Sequence, residues 1–344
     1  MESSYYKCNF FDKTIENLNN FLVKQEELNL TKIIEDKTVF EKKDIVYSCG
    51  FSEYNKADWS KPTGIICIKD NIELLSYTLN NLNVNKVYDH INFIIVDDRS
   101  SRDIKEVCNE YPISYLRVDN DKGFNFSMLN NIAAKIAYEK GSKQIILWNS
   151  DLFVPDENQI PQLLELHEKN ESTISGVRLI YPPFSWNNEE VSHNISSVFP
   201  NKSNTYRDTV QFGGSMFAYH VMLKSYFPNH YCRFKEKDYY LVTVDKLETF
   251  VTGAFQIIDL EWFIQSGGLN SSMALNFQDV DLCMRAVKQD KKVYYFGKNN
   301  FLYHDESVSI SKEKKSKQFH TDHILFAKIW NEREYVTSIL KHEF

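Results

Sequence analysis

Four short stretches carry side chains able to hold a cation or move a proton. Asp97 and Asp98 follow the apolar run Ile94-Ile95-Val96 directly, and Asn149-Ser150-Asp151 follows the apolar residues 145–148. Gln278-Asp279-Val280-Asp281 places two acids at the head of an amphipathic stretch, and Tyr303-His304-Asp305 closes a later apolar segment. Carboxylates at strand ends suit hard cations such as Mg2+ and Mn2+, which take oxygen ligands and accept phosphate oxygens as the rest of their shell. A carboxylate at a helix start can instead serve as a general base. Plainer readings stand beside these. Asp is a favoured turn and N-cap residue, so Asp279 can cap its helix while Asp281 sits favourably in the first turn. A lone histidine such as His304 is most often structural or surface-exposed. Two strands delivering acids to one sheet edge weigh against the plain reading there, because ligands of parallel sheets collect beyond the strands' carboxyl ends.

The elements needed to position these residues are visible in the hydrophobic pattern. Residues 64–68, 93–96, 114–118 and 144–148 are short apolar runs that predict buried strands. Between them, residues 73–82, 102–110 and 127–140 predict helices; in the last, Leu129, Ile132, Ala133, Ile136 and Ala137 fall on one face. This alternation implies a mainly parallel α/β sheet flanked by helices. Further on, 160–168, 260–265, 280–287 and 320–330 predict helices, and 173–179 and 292–296 predict strands. Residues 181–207 read as long polar and aromatic loops, and the Lys-rich run 312–317 as a solvated loop. Residues 1–60 read as a partly helical N-terminal extension, residues 61–310 as the main domain with halves at 61–155 and 156–310, and 311–344 as a C-terminal helical segment.

Composition narrows the function classes. The 344 residues are 42% hydrophobic and 25% charged, within the ordinary globular range. A net charge of −7 disfavours a nucleic-acid binder, which wants a basic surface. The start Met1-Glu2-Ser3-Ser4 lacks the order of a signal peptide, and no apolar run reaches the ~18 residues that span a bilayer. Six cysteines without CxxC pairing indicate neither zinc nor a disulfide framework; Cys67 and Cys108 read as reduced core thiols. Gly213-Gly214-Ser215 and Thr252-Gly253-Ala254 match no phosphate-binding, dinucleotide or hydrolase motif. The expected location is the cytoplasm, with peripheral association at the inner face of a membrane.

Taken in order, these stretches resemble the family 2 glycosyltransferases of the GT-A fold. Ile94-Ile95-Val96-Asp97-Asp98-Arg99-Ser100 resembles that family's V-D-D-G-S strand end, and residues 120–131 its N-x-G-F segment. Trp148-Asn149-Ser150-Asp151 is similar to its D-x-D region. Thr252-Gly253-Ala254, Gly267-Gly268-Leu269 and Gln278-Asp279-Val280-Asp281-Leu282-Cys283-Met284-Arg285 resemble T-G-A-x, G-G-F and E-D-V-D-L-C-x-R, and Tyr303-His304-Asp305-Glu306-Ser307 the late H-x-x-S stretch. The resemblance spans roughly residues 62–310 and implies an inverting, metal-dependent transfer of sugar from a nucleotide-diphosphate donor. The implied acceptor is a glycan, a lipid-linked molecule or another hydroxyl, in bacterial surface polysaccharide or glycoconjugate synthesis.

Roles follow residue by residue. Asp97 or Asp98, Asn149, Gly253 and Ala254 are implied on the donor, Asp151 and His304 on a Mn2+ or Mg2+ ion, Asp279 as the base, and Gln278 and Asp281 beside the acceptor. Three positions depart from the pattern: Asn149 and Gln278 replace acids, and Arg99 replaces a glycine, which implies a different turn. Two other readings compete, a sugar nucleotidyltransferase and a catalytically silent nucleotide-sugar or glycan-binding protein. The first lacks its Gly-rich basic loop at Cys67-Ile68-Lys69-Asp70-Asn71.

Overall fold

The computed structural model describes residues 47–53, 57–120, 123–184, 207–220, 225–305 and 312–330. Strands β2 (Thr63–Ile68) and β3 (Asn92–Asp97) are buried at every position, as a parallel strand covered on both faces must be. Their neighbours are β4 (Ser114–Asn120) and β5 (Gln144–Trp148). β2 pairs parallel with β3 and β5, and β3 with β4, so four carboxyl ends point to one edge. Helices α1 (Ile72–Val84), α2 (Lys105–Cys108) and α3 (Phe126–Lys140) make the connections. Asn71 and Asn125 cap α1 and α3 by accepting the amide hydrogens of Leu74 and Met128, and Gly141 ends α3 at φ +100°.

The second half turns the sheet mixed. After β6 (Leu152–Phe153) and α4 (Gln159–Lys169), β7 (Ile174–Ile180) is followed by β8 (Val210–Phe212), β9 (Ser215–His220), β10 (Ser225–His230) and β11 (Asp245–Leu247). Then come β12 (Phe255–Asp259), α5 (Leu260–Gln265), α6 (Gln278–Lys288), β13 (Val293–His304) and α7 (Lys312–Trp330). The sheet order is β1-β4-β3-β2-β5-β12-β7-β13-β11, with β6 on β13, β8 on β7, and β9-β10 as a separate hairpin. β12 runs antiparallel to both β5 and β7, while β13 runs parallel to β7. The reversal of β12 has a direct consequence: its beginning, not its end, reaches the edge where β5, β7 and β13 finish.

Several expectations shift. Residues 1–46 lie outside the described residues, but 47–53 is strand β1 (Tyr47–Glu53), not helix, and pairs antiparallel with β4. Its neighbour β4 would otherwise be a bare sheet edge. The helix expected over 102–110 forms only as Lys105–Cys108, because Asp103 accepts the Lys105 amide at its head and Pro112 restricts Tyr111 behind it. The 312–317 run is the first part of α7, not a loop. Of the expected loops at 181–207, only 181–184 and 207 fall within the described residues. β13 runs past the predicted 292–296 because a register shift between Phe296 and Phe301 lets it keep pairing with β7. Cys67 and Cys108 are buried free thiols, and burial pushes Cys108 up to about 12. Among the described residues, no helix is long and apolar enough to cross a membrane.

Candidate functional site

At the shared edge lies a cavity of about 720 Å3, walled by Asn149, Ser150, Asp151 and His304 on one side and by Thr252, Gly253, Ala254, Gln278 and Asp279 on another. The sheet explains why residues so distant in sequence meet. Phe255 pairs with Trp148, so the residues preceding β12 face those following β5, and the Asn149 amide donates to the Ala254 carbonyl at 3.0 Å. His304 pairs with Leu152 across β13 and β6, and the Asp305 amide donates to the Asp151 carbonyl at 3.0 Å.

Asp279 is half-buried in the first turn of α6; the N-cap is Phe277, not Asp279. Its Oδ2 accepts the Gly253 amide at 2.6 Å and its Oδ1 the Val280 amide at 2.9 Å. No lysine or arginine within the described ion pairs touches it. Burial raises its pKa above the usual aspartate value, against the lowering pull of those amides. Gly253 is required for this approach: a Cβ there would lie 2.9 Å from the Asp279 Cβ. Next to it, Gln278 is buried, donates to the Leu275 carbonyl at 3.3 Å, and leaves its Oε1 without a hydrogen-bond partner among the described residues.

On the other side, His304 Nε2 lies 3.2 Å from Asp151 Oδ1 and 3.3 Å from Asn149 Nδ2. Both Asp151 and His304 are buried. Asp305 is buried behind them, and burial together with the Asp151 charge pushes its carboxyl up to about 6. Among the described residues, no group of three or more His, Cys, Asp or Glu side chains converges to hold a metal.

The edge does not treat all predicted acids alike. Asp97 is fully buried and accepts from Tyr115 Oη at 2.6 Å, Arg117 at 3.0 Å and the Ser100 amide at 2.8 Å. Asp98 is fully buried against Lys69 at 3.0 Å and Asn120 at 3.4 Å. Asp281 accepts from Arg285 Nε at 3.0 Å and Trp330 Nε1 at 2.9 Å. These three lie off the cavity lining, whereas Asn149, Asp151, Gly253, Ala254, Gln278, Asp279 and His304 share it. Arg99 takes φ +52°, so the turn keeps the left-handed form a glycine adopts freely; the different turn expected there does not occur.

Sequence reasoning missed Phe227, Asn229, His230 and Arg233, which line the cavity from β10 and the turn after it, and Phe319 from α7. No motif marks them, and β10 offers only an aromatic-rich segment without clean alternation.

Residues 64–229 match the family model described as Glycosyl transferase family 2. Among solved structures, the chain is similar to GalNAc-T7 with UDP, GalNAc and Mn2+, with a TM-score of 0.53 and 12% identity over 83% of this chain and 50% of that one. It is also similar to the mannosyltransferase PcManGT from Pyrobaculum calidifontis in complex with GDP-Man and Mn2+, with a TM-score of 0.51 and 10% identity over 97% of this chain and 80% of that one. The chain thus spans half the length of the first of these. No curated sequence matches it. The fold shared with these structures is GT-A.

Proposed function

We propose that this chain, whose residues 64–229 match glycosyl transferase family 2 on a GT-A fold, moves a sugar from a nucleotide-diphosphate donor to a hydroxyl acceptor with inversion. The observation that carries this reading is Asp279. Its carboxylate is fixed by two backbone amides, has no cation bound to it among the described ion pairs, and shares one cavity with Asp151 and His304. A base held this way can take the acceptor's proton as the acceptor oxygen attacks the sugar. A raised pKa makes that carboxylate a stronger proton acceptor than an exposed one.

The residues opposite fit a divalent cation, Mn2+ or Mg2+. Asp151 offers a carboxylate oxygen, His304 a ring nitrogen and Asn149 an amide oxygen, a set that leaves positions for diphosphate oxygens. When bound, such a cation supplies positive charge to offset the charge gathering on the leaving diphosphate. Gly253 and Ala254 let backbone lie against the donor sugar, and the unpartnered Gln278 Oε1 faces the acceptor side. Asp97 and Asp98 act on the donor through Arg117 and Lys69, the partly exposed cations that they hold. On this reading residues 61–155 are the nucleotide half and 156–310 the acceptor half. The reaction belongs to surface polysaccharide or glycoconjugate synthesis at the cytoplasmic face of a membrane.

The test is Asp279→Asn assayed with a panel of UDP- and GDP-sugars. Asn preserves the shape and the capping ability but removes the proton-accepting charge. The variant folds, binds donor as wild type does, and transfers sugar at least about a hundredfold more slowly. Wild-type turnover at saturating donor refutes the base, and absence of transfer from every donor by the wild type refutes the reaction.

A further inference from the structure

Helix α7 crosses behind α6 and contributes a carboxylate to the loop that leads into it. Asp322 is fully buried. It accepts from the amides of Ala274 at 3.2 Å, Leu275 at 3.1 Å and Asn276 at 3.0 Å, from Asn276 Nδ2 at 3.2 Å, and from Gln318 Nε2 at 2.7 Å. Three successive backbone amides are thus gathered on one side chain. The next residue, Phe277, takes φ +66°, a left-handed conformation unfavourable for an aromatic residue. Such a conformation persists where its surroundings over-determine it. Here they do: the Phe277 ring packs against Phe319, His323 and Phe326 of α7. Two residues beyond Phe277 stands Asp279. Past it, α7 grips α6 again through Trp330 Nε1 on Asp281.

We propose that Asp322 is a positioning residue for Asp279: by gathering the amides of 274–276 it fixes the left-handed turn at Phe277 and with it the direction in which α6 presents its first-turn carboxylate. The catalytic consequence rests on the reading of Asp279 as the base. A small displacement of that carboxylate matters because its contact with Gly253 leaves no room for adjustment. α7 is therefore part of the reaction apparatus, although its acid lies off the cavity lining.

Asp322→Asn keeps the size of the side chain but replaces one accepting oxygen with a donor facing backbone amides. Its comparison variant is Ile324→Val, a buried residue of the same helix that loosens packing without touching the loop. Asp322→Asn lowers kcat on the order of 10- to 100-fold and leaves the donor KM within about twofold; Ile324→Val, measured where the same fraction is folded, keeps its kcat. Amide hydrogen exchange gives a second readout independent of turnover. In Asp322→Asn, protection falls at 274–276 and also at Gly253 and Val280, the two donors to Asp279. Wild-type kcat in Asp322→Asn, or an equal loss in Ile324→Val, overturns the proposal. So does lost protection confined to 274–276. If the wild type transfers no sugar, the functional reading falls, and exchange at Gly253 and Val280 alone decides whether α7 holds Asp279 in place.

Discussion

The acids at the end of β3 and the acid at the head of α6 reach the same edge of the sheet, yet their surroundings differ in kind. Asp97 and Asp98 are sealed from solvent, and their oxygens are occupied by Arg117, Tyr115, Lys69 and Asn120. Asp279 is half-buried, held by amides alone, and opens on the cavity. A carboxylate whose lone pairs are filled by cations and a phenol is a framework element. One held by neutral donors keeps the capacity to take a proton. Residue type is the same in both places; what saturates the oxygens separates scaffold from chemistry.

That contrast can be broken by experiment. The largest effect falls on rate at the α6 acid: Asp279→Asn loses about 10²–10⁴-fold in kcat while its unfolding midpoint in urea barely moves. In the wild type, kcat falls as pH drops through the raised Asp279 pKa, since the base works only when deprotonated, so the acidic limb lies above that of an ordinary aspartate. The β3 acid shows the reverse profile. Asp97→Ala strands the Tyr115 hydroxyl and the Arg117 guanidinium and costs roughly 3 kcal/mol in urea unfolding. Comparable turnover losses per folded molecule in both variants would erase the distinction.

Gly253→Ala sharpens the same comparison from the partner side. The new Cβ must push against the Asp279 Cβ, 2.9 Å away, so kcat falls on the order of tenfold with a stability loss of about 1–2 kcal/mol. A smaller effect belongs to the opposite wall. EDTA weakens nucleoside-diphosphate binding by about tenfold in calorimetry, and Asp151→Ala removes that sensitivity. EDTA-insensitive binding by the wild type would separate Asp151 and His304 from any cation.

How much of this could be read in the sequence depended on the range of the signal. β2, β3, β5 and α3 announce themselves locally, as continuous apolar runs or as a clean one-faced period, and their bounds fall within a residue or two of expectation. The Asp279, Asp151 and His304 positions were legible because each stands at the end or start of such an element. β8 to β11 were not, since short strands of mixed polarity gain their identity from partners far along the chain. The same holds for Arg233 and Phe319, which join the cavity only through tertiary packing. β1 alternates Phe51 and Cys49 with polar or small residues, a period-two pattern hidden beside a helical-looking stretch. Arg99 misled in the other direction: the turn kept its left-handed form although the residue that adopts it most cheaply was absent.

The reversed strand β12 joins partners as far apart in sequence as Trp148 and Phe255, and it forms the seam between the two halves of the sheet. Closing so long a loop carries an entropic cost that must be met before the pairing returns anything, so the seam belongs among the slow contacts in folding. Asn149 stands on one side of that seam and Gly253 on the other. A nascent chain released before residue 259 has the parallel strands and their buried acids but no cavity. The reactive centre therefore comes into being together with the last central pairing of the sheet, and ligand capture reports completion of the fold rather than progress toward it.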